Sequence, residues 1–239
     1  MTLDSLRRAA ADTGHIGESR VPPVLAVVTA AALYATLPSK FISGSSGFLL
    51  AARFAVPALA VALLGPLALS APSRSTLTRA VPRRLSAVQR RTAAIALIAV
   101  MTVAIATSIV LLVHFIVVGR HLQGHELIRA AIHIWCTMVL VFALWFWQLD
   151  SGGPLARARE PRRAPDFLFT QMTNPEIAPK GWRPVFLDYL YLSFTNATAF
   201  SPTDTMPLTQ WAKMLMLVEA AASLLTLLMV AARAVNILH

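Results

Sequence analysis

Not one Asp, Glu, Lys or Arg interrupts the stretch from Thr92 to Val118. Crossing the hydrocarbon core of a bilayer as a helix takes about 20 apolar residues, and this stretch exceeds that on its own. Further apolar runs accompany it: Val21 to Leu37, Phe48 to Leu69, Glu126 to Leu149 and Pro207 to Leu238. Only 13% of the 239 residues are charged and 56% are hydrophobic, so too little polar surface exists to coat a soluble domain around them. An all-α integral membrane protein with five transmembrane helices is expected.

The net charge of +10 sits between the apolar runs. Arg7, Arg8 and Arg20 precede the first, and Arg74, Arg79, Arg83, Arg84, Arg90 and Arg91 fill the loop from Ser70 to Arg91. Arg157, Arg159, Arg162, Arg163, Lys180 and Arg183 lie between Asp150 and Arg183, whereas the alternate loops hold only Lys40 and Arg120. Basic loops set membrane orientation and meet anionic headgroups, so anionic lipids and not nucleic acid are the expected partners of this charge. The positive-inside rule places the amino terminus, the basic loop and the later linker in the cytoplasm. The single Cys136 lies inside an apolar run, which excludes an intrachain disulfide or a cysteine metal cluster.

Residues 1–149 are read as a four-helix transmembrane region that ends in an outer pore helix. Val21 to Leu37 is short and follows a basic start, which fits a signal peptide or a helix begun by Pro22 and Pro23; the helix is preferred. Arg53 sits early in its run and can snorkel, and Pro57 and Pro66 should kink that helix. No row of arginines at every third position marks a voltage sensor. Trp145, Phe146 and Trp147 fit an aromatic belt at an interface. His114, His121, His125 and His133 bracket the hairpin from Gly119 to Gly124, near Glu126 and Arg129, and are read as interfacial residues pairing locally and not as a metal site. Residues 150–183 form a basic linker whose Gly and Pro punctuation argues against a long regular element.

Residues 184–239 hold the feature around which the chain is organised. A polar, proline-broken interruption from Thr195 to Asp204 divides two apolar stretches. Backbone at lipid depth must satisfy its own polar groups, so such a stretch should be buried in protein or line water. Val185 to Ala197 has room for a helix of about 20 Å, short of the roughly 30 Å core. Extension through Phe200 would nearly span, which leaves a sixth transmembrane helix open. Asp188 reads as a first-turn carboxylate. Glu219 falls about 18 Å along the last helix from Pro207, near the midplane, where an acidic side chain is expensive and functional by default. It could line a cavity or pair structurally.

The run Ser193-Phe194-Thr195-Asn196-Ala197-Thr198-Ala199-Phe200-Ser201-Pro202-Thr203-Asp204-Thr205-Met206-Pro207-Leu208-Thr209-Gln210-Trp211-Ala212-Lys213 resembles the pore signature of the tetrameric pore-loop cation channels, whose prototype is the potassium channel. That signature runs roughly S-x-x-T-x-T-T-V-G-Y-G-D-x-x-P-x-T-x-W-G-R, and Thr198, Asp204, Pro207, Thr209, Trp211 and Lys213 fall in step with it. The resemblance covers about a quarter of the chain. It implies a re-entrant pore helix and filter-like loop before the last helix, in a homo-oligomer, a tetramer, that conducts inorganic ions. The implied filter is Asn196, Thr198, Ala199, Phe200, Ser201, Pro202 and Thr203, with Asp204 at its mouth and Glu219 in the cavity.

Phe200-Ser201-Pro202-Thr203 stands where the family has Val-Gly-Tyr-Gly. A potassium filter aims successive carbonyls at the ion, in conformations that glycine reaches freely and proline does not. Cation conduction without potassium selectivity is therefore expected. The layout also looks like uncharacterised bacterial membrane proteins with a hairpin pair before such a loop, which implies the bacterial inner membrane. With a cytoplasmic linker the loop would enter from inside, as in ionotropic glutamate receptors and opposite to potassium channels; alternatively Val185 to Phe200 spans, or the charge rule does not hold here. The competing function is a non-conducting scaffold or sensor in which Phe200 and Pro202 plug the path. A transporter is disfavoured because no internal repeat is visible. No nucleophile, metal or cofactor spacing appears, so neither an enzyme nor a cofactor is expected.

Overall fold

The computed structural model describes residues 19, 21–37, 57–58, 86–117, 124–159, 163–199 and 204–237. The expected second span, Phe48 to Leu69, lies outside them except for residues 57–58, as do most of the Ser70 loop and the filter residues Phe200, Ser201, Pro202 and Thr203. In chain order the elements are α1 (Val21–Ala35), α2 (Ala87–Val117), α3 (Gly124–Leu149), a 3-10 turn (Asp150–Gly152), α4 (Pro154–Arg159), β1 (Phe167–Phe169), the single turn α5 (Thr170–Thr173), α6 (Phe186–Ala199), β2 (Thr205–Pro207) and α7 (Gln210–Ile237). Among the described residues, three stretches are long and apolar enough to cross a membrane: Val88–Val117, Glu126–Gly152 and Gln210–Ala231. At 15 residues α1 is about 22 Å long, shorter than the core.

Local chemistry sets several boundaries. Ser86 and Gln89 form a reciprocal capping box: the Gln89 amide N–H donates to Ser86 Oγ at 3.2 Å and the Ser86 N–H to Gln89 Oε1 at 2.8 Å. The basic loop expected to reach Arg91 therefore ends sooner, and Arg90 and Arg91 ride on the opening turns of α2. Asp188 provides half of such a box at α6, accepting the Val185 N–H at 2.7 Å. Pro154 opens α4, where its missing N–H has no helical partner to lose.

α3 is the central helix, with buried residues along its length, and α7 the outer one, with Met214, Leu217, Val218, Leu224, Leu225 and Leu228 exposed. Contacts along the bundle fix the directions. Trp147 meets Phe186, the Val139 carbonyl meets Ser193, and Trp135 meets Phe194, so α6 runs antiparallel to α3. Phe167 lies between Tyr189 and Trp211, whereas the Ala197 carbonyl meets Ser223. α6 and α7 thus run side by side in the same direction, although they are consecutive helices. The chain leaves α6 deep in the bundle and by Asp204 is back beside Thr170, whose Oγ1 donates to the Asp204 carbonyl at 2.7 Å.

A short antiparallel ladder, absent from the all-α expectation, fastens that return. It pairs Phe167 with Pro207, Leu168 with Met206 and Phe169 with Thr205, and the Leu208 N–H extends it to the Asp166 carbonyl at 2.8 Å. Within the expected aromatic belt, Phe146 is fully buried whereas Trp145 and Trp147 are half-buried, and the Trp145 Nε1–H donates to Thr102 Oγ1 of α2 at 2.8 Å. These rings pack inward because α2, α6 and β1 cover that end of α3.

The turn after α3 holds three residues at positive φ, Ser151 (50°), Gly152 (79°) and Gly153 (97°). Gly153, with ψ 172°, occupies a region that is essentially glycine-only, and a Cβ there would lie 2.7 Å from the Gln148 carbonyl oxygen. Gly153→Ala should destabilise the fold by at least about 1–3 kcal/mol. Gly181→Ala, at φ 73° with nothing near its Cβ, should do less damage; thermal unfolding in detergent compares the two.

Candidate functional site

Two polar side chains of α6, Ser193 and Asn196, point into the protein and build a lattice around one carboxyl group. Glu219 of α7 is fully buried. Its Oε1 is hydrogen-bonded to Ser193 Oγ, and its Oε2 accepts from Asn196 Nδ2 at 2.7 Å. Asn196 Nδ2 also donates to the Met216 carbonyl at 2.9 Å, and Ser193 Oγ lies 2.8 Å from the Val139 carbonyl of α3. One turn further on, Ser223 Oγ donates to the Ala197 carbonyl at 2.6 Å and accepts from Trp135 Nε1 at 2.9 Å. Ser193 and Asn196, three apart on α6, face the same side, as do Glu219 and Ser223, four apart on α7. Three helices are joined at this level by side-chain bonds.

A second polar group gathers at the linker end of the bundle. Asp150, fully buried, accepts from Tyr189 Oη at 2.5 Å, from the Asp166 N–H at 2.7 Å and from Ser151 Oγ at 3.3 Å. Asp166 in turn accepts the Ser151 N–H at 2.8 Å and the Trp211 Nε1–H at 3.0 Å. Arg157 caps the carboxyl end of α3, with Nη1 donating to the Trp147 and Asp150 carbonyls at 2.9 and 2.8 Å, and its guanidinium sits 5.2 Å from the centre of the Tyr189 ring. A cation there suits both the helix terminus and the ring face. Phe167, Phe169, Tyr189, Trp211 and Trp182 close around these groups edge to face. This collar ties α3, the linker, α6 and α7 together where the last two begin.

The sequence-predicted site residues divide between these surroundings. Asn196, expected in the filter, is buried and serves the lattice. Glu219, expected in a cavity, lies inside the protomer, where hydrogen bonds to Ser193 and Asn196 engage its two oxygens at this depth. Thr198 and Ala199 are exposed at the end of α6, and Thr198 Oγ1 donates back to the Phe194 carbonyl at 2.8 Å. Asp204 is exposed beside the ladder. Asp150, Asp166, Tyr189 and Ser193 do not stand out as site residues from sequence. For Ser193 a signal exists, since it precedes Asn196 by one helical turn in a segment otherwise rich in apolar residues.

Among the described residues, no three of His, Cys, Asp and Glu come together to hold a metal. His133 bonds within its own helix, with Nδ1 2.6 Å from the Arg129 carbonyl. A small notch between α1, α2 and α3, lined by residues such as Ala30, Tyr34, Met101 and Ile105, contains no charged group.

No protein-family model matches the chain, and no solved structure matches it. A stretch of 64 residues is 34% identical to phycoerythrobilin:ferredoxin oxidoreductase of Synechococcus sp. (strain WH8020). The similarity spans 25% of this chain and 25% of that protein.

The collar yields a direct test. Tyr189→Phe removes the hydroxyl donor from a fully buried carboxylate while leaving the ring in place, and should destabilise the protein by about 1–3 kcal/mol. Tyr191→Phe, at a ring 52% exposed, should be close to neutral in the same unfolding assay.

Proposed function

We propose that residues 184–209 form a re-entrant pore loop and that several copies of the chain, a tetramer by resemblance to the pore-loop channels, surround a path for inorganic cations. The observation that carries this reading is the parallel course of α6 and α7. Both begin at the collar, so the chain enters and leaves the bundle at the same end. One protomer holds one such loop, and a pathway needs symmetry copies to enclose it. Thr198, Ala199 and Asp204 are exposed on the isolated protomer, as a filter shared between copies requires. Met214, Leu217, Val218, Leu224, Leu225 and Leu228 leave an apolar surface on α7 for lipid and neighbouring copies.

Phe200-Ser201-Pro202-Thr203 supports cation passage without potassium selectivity, because Pro202 is ill suited to a stack of ion-facing carbonyls. The start of α2, with Arg90 and Arg91, and the basic linker lie at the collar end, which favours a loop entering from the cytoplasmic face of a bacterial inner membrane. Anionic lipid headgroups are the natural partners of that face.

A second reading, a non-conducting scaffold, draws on a different observation. Ser193 and Asn196 turn into the protein, and Thr195 and Thr198 donate to their own helix at 2.9 and 2.8 Å, so α6 turns little hydrogen-bonding capacity outward.

Flux from purified protein in liposomes separates the two. The channel reading expects sodium and potassium to pass with similar permeability and chloride to be excluded. Asp204→Asn should reduce cation flux several-fold, by weakening attraction at the mouth. No flux of any ion from protein shown to be oligomeric would establish the scaffold instead.

A further inference from the structure

We propose that Glu219 is a positioning residue that sets where the carboxyl end of α6 lies, and hence where the filter begins, without facing the ions itself. The inference rests on the pore-loop reading above. Glu219 is 0% exposed in a single protomer, before any neighbouring copy is added, and the adjacent exposed positions on α7, Leu217 and Val218, are apolar. A group enclosed in this way has no surface to present to a channel axis.

What the carboxyl does have is two oxygens on two residues of α6. Oε1 engages Ser193 and Oε2 engages Asn196, so one planar group grips successive turns of the same helix. Two anchors at different heights fix both the rotation and the axial position of α6 against α7, which one anchor cannot do. Beyond Asn196, Ser223 Oγ holds this end from another helix through the Ala197 carbonyl, and Thr198 bonds back within α6. The placement of Ala199, the last described residue before the filter, therefore depends on the Glu219 level. An apolar side chain of similar volume could fill the space, and buried polar groups often gain little stability over such a replacement. Their best-attested use is to select one geometry, which is the use a filter requires.

The two roles respond oppositely to conservative change. In Glu219→Gln the amide oxygen can accept from Asn196 and the amide nitrogen can donate to Ser193 Oγ, whose own proton then reaches the Val139 carbonyl. The geometry survives and the ionisable group is gone. In Glu219→Leu the volume stays and both anchors are lost.

The test combines ion selectivity in liposomes with thiol labelling of Ala199→Cys, in the full chain carrying Cys136→Ser so that one thiol remains. Glu219→Gln should leave both the labelling rate and the cation selectivity as in the parent protein. Glu219→Leu should change the labelling rate roughly fivefold or more, because one buried N–H of Asn196 loses its acceptor and Ser193 is left with the Val139 carbonyl alone, so neither holds α6 to α7 through this position. Asn196→Ala, which removes one anchor, should shift labelling in the same direction by less, and it carries the test if the leucine variant does not fold. Altered selectivity in Glu219→Gln with unchanged labelling would overturn the proposal and make the group an ion-facing charge. Unchanged labelling in both Glu219→Leu and Asn196→Ala would also overturn it. If the parent protein conducts nothing, the pore reading falls while the labelling comparison still decides whether Glu219 positions α6.

Discussion

The last four carbonyls of a helix have no helical N–H to accept, and inside an apolar bundle water is not there to replace it. The last turn of α6 holds two buried residues, Asn196 and Ala197, so this constraint bears on what must surround them. Ser223 takes the Ala197 carbonyl, and Trp135 of α3 donates to Ser223 in turn. The Glu219 carboxyl, which would be costly alone at such depth, is held by Ser193 and Asn196 one turn earlier. Each member satisfies another, and the α3, α6 and α7 backbones are drawn to one level as a result.

The other end of α6 depends on the linker. Asp150 and Asp166 are neighbours through the Asp166 N–H, and between them they engage Tyr189 and Trp211, one residue from each of the two helices that begin there. The β1–β2 ladder repeats the connection through the backbone. The linker is thus more than a tether, since its residues are bonded to both helices that begin there. Arg157 anchors the same group to the end of α3.

Much of this arrangement is legible in the residues. The uncharged run of α2 and the long apolar runs of α3 and α7 declare themselves by length, and the short helix expected from Val185 to Ala197 is observed at Phe186–Ala199. The Ser86/Gln89 capping box is also readable, but the arginines around it suggest a loop. β1 and β2 are three residues each, too short for alternation to register. The collar is hidden because its members are distant in sequence: Asp150 finds Tyr189 across 39 positions and Asp166 finds Trp211 across 45. Glu219 stands out as a buried charge, yet its partner Asn196 reads as part of the filter, and only packing reveals that Asn196 faces α7. Composition likewise marks Trp145 to Trp147 as amphipathic without saying that other helices cover them.

The pore-loop reading requires that the chain enter and leave the bundle at one membrane face between Val185 and Asp204. Single cysteines at these two exposed positions, in the Cys136→Ser protein, can be challenged with a membrane-impermeant thiol reagent on sealed vesicles of known orientation. Both should be labelled from the same side, the side opposite to a cysteine placed at Arg120. Labelling of Val185→Cys and Asp204→Cys from opposite sides would contradict the claim, because the segment between them would then cross the bilayer.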